Sequence, residues 1–179
     1  MNIKNCIKKI KIWLKEQEYK KYIERHRNNI IDAAYEMMTC PGLSFLFDDV
    51  VLCEFFMDRI SIHDLSKYEK EEFDAYRKYY YPISLEEKTE NSADFLRALE
   101  HHYRTNEHHW EHRVNNINFD PNNINDVLAV LENVADWLAV GYQFNNRPYQ
   151  YYEKHKQEIN LCEKEKKFLE RVIYALEED

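Results

Sequence analysis

His63 and Asp64 stand side by side at the end of an apolar run, Phe55-Phe56-Met57-Asp58-Arg59-Ile60-Ser61-Ile62, just ahead of the helix-start signal at Ser66. Five more histidines, His101, His102, His108, His109 and His112, crowd one short stretch, and His26 lies far upstream. Glu132 and Asp136 are spaced i, i+4 among the apolar Val130, Leu131, Val134 and Leu138. A carboxylate in such company must be paired or bound to a metal. Imidazole and carboxylate together suit a divalent ion of the Mn, Fe, Co, Ni or Zn group, with Mg also within reach of the carboxylates. Taken singly, each residue has a plainer reading. Asp64 serves as a helix cap, His26 as an exposed side chain, and Asp136 as an ion-pair partner for Arg97 or Arg104. His101 and His112 read as solvent-facing or supporting groups rather than ligands. Taken together, the candidates fall on separate elements: His26, His63 with Asp64, His102 with His109, and Asp136.

The elements that must position them read as helices. Two glycines and four prolines in 179 residues leave few places for turns, so the chain is predicted to be all-α. One helix is predicted from about residue 3 to 38, bent near Glu18 and ending at Thr39-Cys40-Pro41-Gly42. A second spans about 44–62. Ser66-Lys67-Tyr68-Glu69 and Ser84-Leu85-Glu86-Glu87 read as capping boxes that open the next two. A long helix over about 92–115 would carry the histidine cluster, placing His102, Asn106 and His109 on one face. After an Asn-rich loop come a helix over about 124–144 and two more, beginning at Pro148 and after Cys162. The whole of 1–179 reads as a single helical domain, with residues 1–20 as a basic amphipathic extension. Ile3, Ile7, Ile10 and Leu14 make its narrow apolar stripe, flanked by Lys4, Lys8, Lys11 and Lys15. Such a helix either lies on a membrane surface or packs on the domain, and the narrow stripe favours packing.

Composition removes several function classes. The two glycines, Gly42 and Gly141, cannot write a P-loop or a dinucleotide fingerprint. A formal charge of −8 disfavours an extended nucleic-acid surface. A small anion stays admissible where metals supply the positive charge. Four cysteines without CxxC spacing read as reduced thiols in a cytoplasmic protein, and no apolar run is long enough for a membrane span.

The order His26, His63-Asp64, Asp136 resembles the HD-domain superfamily of metal-dependent phosphohydrolases. Asp64-Leu65-Ser66-Lys67 looks like the Asp-Ile-Gly-Lys stretch of many members, with Ser66 in place of the glycine. His102, His108 and His109 fall where the binuclear branches carry extra histidines. More closely, the chain is similar to an uncharacterised family of bacteria and phages with three motifs. These are His-Asp-Leu-Ser-Lys (63–67), His-x3-Asn-x-His-His (102–109) and Glu-x3-Asp-Trp (132–137). The resemblance implies a compact HD-like bundle holding one or two divalent ions through His26, His63, Asp64, His102, His109 and Asp136. It implies hydrolysis of a small phosphorylated molecule, a nucleotide or related phosphoester. Asp64 would bridge the ions and Lys67 would neutralise a phosphate oxygen. Asn106 and His108 would contact substrate or protonate the leaving group. Tyr76, Tyr79, Tyr80 and Tyr103 are available to stack on a base. A di-iron oxygenase of the same fold and a metal-stabilised nucleotide-binding protein stay open as alternatives, and so does assembly into a homo-oligomer.

Overall fold

Scarce glycine and proline leave the backbone little reason to abandon the helical region, and the structure follows. The computed structural model describes residues 3–177, which hold ten α-helices, two 3-10 turns and no strand. The helices are α1 (Ile3–Thr39), α2 (Ser44–Phe47), α3 (Val50–Ile62), α4 (Lys70–Tyr80) and α5 (Leu85–Glu90). They continue with α6 (Ser92–Thr105), α7 (Trp110–Arg113), α8 (Ile124–Phe144), α9 (Pro148–His155) and α10 (Glu163–Ala175). No described helix is long and apolar enough to cross a membrane. All four cysteines are free.

The chain divides into two compact units. One joins the described residues up to Arg25 with Asp64–Thr105; the other joins His26–His63 with the described residues from Asn106 onward. The first unit packs α4, α5 and α6 with the leading part of α1. Its core is aromatic: Tyr19, Ile23, Ala75, Tyr76, Phe95 and Ala98, with Phe73, Tyr79 and Tyr81 around them. Tyr79 lies flat on Phe95 at 3.8 Å between centroids. The second unit is built around α8, in which every residue from Val127 to Ala135 is buried. Against it pack Ile30 and Met37 of α1, Phe56 and Ile60 of α3, and Leu169 and Val172 of α10. Both glycines sit in this unit at close approaches. A Cβ on Gly42 would strike the Ala175 carbonyl, and one on Gly141 the Asn146 carbonyl.

Four sequence expectations change. The helix read over 44–62 is interrupted, because Asp49 turns its carboxylate back to cap α3, accepting from Val51 N at 2.9 Å and Leu52 N at 3.3 Å. Ser66 does not cap a helix. It sits inside the 3-10 turn Leu65–Tyr68 and donates instead to Glu72 Oε2 at 3.1 Å, so α4 begins only at Lys70. The helix read over 92–115 stops at Thr105. In a continuing helix the Glu107 and His108 carbonyls would accept from the amides of the next turn. Here they accept from the Arg113 guanidinium, at 2.6 and 2.7 Å. Finally, the stripe predicted to pack on the domain is exposed: Ile3 76 %, Ile7 50 %, Ile10 53 % and Leu14 47 %. The reason is that α1 buries its opposite face, through Tyr19 and Ile23. The Ser84 box holds, with Glu87 N bonded to Ser84 Oγ at 3.2 Å at the head of α5.

Candidate metal centre

In the second unit three expected ligands from three helices meet. His26 comes from α1, His63 from the C-terminal end of α3, and Asp136 from α8 immediately after its buried stretch. His26 Nε2 lies 3.1 Å from Asp136 Oδ1 and 3.3 Å from His63 Nε2, and His63 Nε2 lies 3.7 Å from the same oxygen. Both imidazoles are buried, and Asp136 is nearly so. Burial alone would push the Asp136 carboxyl up. The bonds and charges of His26 and His63 outweigh it and hold the group well below the ordinary carboxylate range.

The chain fixes this geometry through two devices that the sequence reading left out of the site. Arg27, next to His26, reaches the end of α3, where its guanidinium donates to the His63 carbonyl and, at 2.7 Å, to the Ser61 carbonyl. It thereby satisfies carbonyls that a helix end leaves open, and it docks His63 beside His26. Glu132, one turn before Asp136, takes the other ring nitrogen of His63, with Nδ1 at 2.9 Å from Oε1. The same oxygen lies 3.1 Å from His108 Nδ1, and Oε2 accepts from Arg59 Nε at 2.9 Å. Burial again opposes ionisation, yet His108, His63 and their charges carry the Glu132 carboxyl far below its usual value. An ionised Glu132 only accepts, so the proton of His63 rests on Nδ1. Its Nε2 lone pair therefore faces His26 and Asp136. This is the carboxylate–histidine support typical of metal ligands.

The first unit holds a parallel arrangement around Asp64 and His102. Asp64 adopts a left-handed conformation, φ 57° and ψ 19°, that L side chains adopt uncommonly. Its Oδ1 lies 3.3 Å from His102 Nε2, and Lys67 Nζ lies 2.5 Å from Oδ2. His102 Nδ1 meets Glu72 Oε2 at 2.9 Å, and His101 Nδ1 meets Glu72 Oε1 at 3.0 Å. The buried Glu72 thus directs His102 Nε2 at Asp64 as Glu132 directs His63. Burial lowers the His102 pKa, but Asp64 and Glu72 more than reverse this and raise it. Lys67, expected to meet a phosphate, lies on Asp64.

Of the remaining expected residues, His108 and His109 belong to the second unit, their rings 4.2 Å apart. His108 is buried and held by Glu132, whereas His109 is half-buried at the start of α7. His102 and His109 do not share a helix face, because the break after Thr105 separates them. Asn106 lies in that break, half-buried. Asp136 pairs with histidines rather than with Arg97 or Arg104. Glu72, Arg27 and Arg59 are what sequence reasoning missed as site residues, and Glu132 was noticed without a role. Glu132 alone left a signal, as a lone acid four residues before Asp136 on an apolar face.

Residues 15–175 match the family of unknown function DUF5662, and the chain belongs to it. No curated protein and no solved structure matches the chain.

Proposed function

We propose that this protein is a metal-dependent phosphohydrolase acting in the cytoplasm on a nucleotide or related small phosphoester, with His26, His63 and Asp136 holding a divalent ion. One observation carries the reading. Two buried imidazole nitrogens and a carboxylate oxygen crowd together, and a second carboxylate has already fixed which nitrogen His63 offers. Two nitrogens at 3.3 Å need a proton or a cation between them. The donor set, two nitrogens and one oxygen, fits Mn, Fe, Co, Ni or Zn and leaves coordination positions for water and substrate. When bound, such an ion supplies a water acidic enough to attack phosphorus and a positive charge for the anionic substrate. The order of the ligands along the chain, shared in resemblance with HD-type hydrolases, supports the hydrolytic reading.

The chain's own contribution is positional. Glu132 fixes the tautomer of His63, His108 and His63 keep Glu132 ionised, and Arg59 holds its other oxygen at 2.9 Å. Arg27 holds the end of α3 in place. His108, its Nδ1 on Glu132, is a group able to pass a proton to a leaving oxygen. In the first unit, Asp64 with His102 makes a second carboxylate–imidazole pair, with the Lys67 ammonium held on Asp64.

The test is elemental analysis of the purified protein, followed by a panel of mono-, di-, tri- and cyclic nucleotides and simple phosphoesters. Activity should vanish with a chelator and return with Mn²⁺, Co²⁺ or Ni²⁺, and Asp136→Ala should lose both ion and activity. A fully metallated protein inert on the whole panel would overturn the proposal, and oxygen uptake by it would identify a di-iron oxygenase instead.

A further inference from the structure

The stripe Ile3, Ile7, Ile10 and Leu14 covers about 17 Å of helix at 1.5 Å per residue, and Trp13, 57 % exposed, stands at its edge. It lies on the side of α1 away from Tyr19 and Ile23, so the packing of its own unit gives it no cover. It also precedes the family match, which begins at residue 15.

Charge identifies the occupant. Residues 3–15 contain five lysines and no acid, within a chain of net charge −8, so the remainder carries −8 − 5 = −13. At 100° per residue, Lys4, Lys8, Lys11 and Lys15 run along one flank of the stripe, and Lys9 lies beyond Trp13 on the other. Lys15 also reaches Glu18 at 2.6 Å. A second copy docked stripe to stripe would set lysines against lysines. An anionic bilayer matches the pattern throughout: acyl chains under the isoleucines, headgroups beside the lysines, and an indole at the boundary between them. We infer that residues 3–15 form an interfacial helix that binds this protein to anionic lipid surfaces.

The whole 179-residue chain is sedimented with vesicles of phosphatidylcholine alone and with vesicles enriched in phosphatidylglycerol. Binding is expected to the anionic vesicles only. Each Lys→Gln change at positions 4, 8, 9 or 11 should weaken it about fivefold, and added salt should weaken it further. Ile7→Asn with Ile10→Asn should abolish it, while circular dichroism stays that of the parent because both side chains are exposed. Lipids brominated in the acyl chain should quench the indole fluorescence, and Trp13→Phe should remove that quenching. Failure to bind anionic vesicles, or equal binding by the Asn variant, would overturn the inference. Self-association in sedimentation velocity that is lost in the Asn variant would overturn it too, by placing a second copy on the stripe.

Discussion

His63 is useful to a metal only through Glu132, because the carboxylate decides which ring nitrogen keeps its proton. Glu132→Gln preserves the shape and the Arg59 contact, but an amide no longer imposes that tautomer. Metal affinity should fall about 10- to 100-fold, read by calorimetric titration, with a native circular dichroism spectrum. An unchanged affinity would mean that Glu132 is mere packing. A second expectation follows from the 3.3 Å between His26 and His63. In the metal-free protein a proton occupies that contact, and an ion must displace it. Metal uptake should therefore release protons, most strongly below the ordinary histidine pKa of about 6.5. Titrations in two buffers of different ionisation enthalpy measure the number released.

At the scale of elements, Arg113 decides where the histidine-rich segment stops being helix. Its guanidinium is buried, bonded to Glu165 Oε1 at 2.5 Å, Asn133 Oδ1 at 2.9 Å and the Glu107 and His108 carbonyls just beyond the end of α6. Arg113→Met strands Glu165, whose carboxyl burial already pushes up, and should cost about 3–5 kcal/mol in chemical denaturation. Arg113→Met combined with Glu165→Leu should recover much of that stability. It should not restore the position of His108, visible in its NMR resonances. This segment also marks what the sequence could disclose. α8 and its flanks were legible because a long apolar period and the Asn145-Asn146-Arg147-Pro148 break are local signals. The halt after Thr105 was not, because its cause is a guanidinium whose main anchor, Glu165, is 52 residues further on. His26, His63 and Asp136 were readable as candidate ligands from their types and from the order the resemblance rests on, and the structure brings the three together. Their supports Glu72, Arg27 and Arg59 were not, since a charged residue on a helix face looks the same whether it meets solvent or a histidine.

Over the whole molecule, the ionisable groups pull in two directions with pH. Glu72, Glu132 and Asp136 are held below their ordinary values, so their stabilisation is present above about pH 4.5 and is lost as pH falls. His102 is raised, so its contribution is complete below about pH 6.5 and is lost as pH rises through its folded value. Thermal unfolding of the metal-free protein should show greatest stability between roughly pH 4.5 and 6.5. His102→Gln should flatten the alkaline side. An ion binds neutral imidazoles, so its stabilisation should grow toward alkaline pH. At an ion concentration one hundred times Kd it should reach about 2.7 kcal/mol, removable with a chelator. The placement of the ligands also sets a schedule for synthesis. His26 and His63 leave the ribosome first, but the carboxylate between them belongs to α8, so a nascent chain short of Asp136 holds two imidazoles and no complete site. On the proposed function, metallation is therefore a late step, taken after most of the chain exists, and a product truncated before α8 competes poorly for the cell's ions.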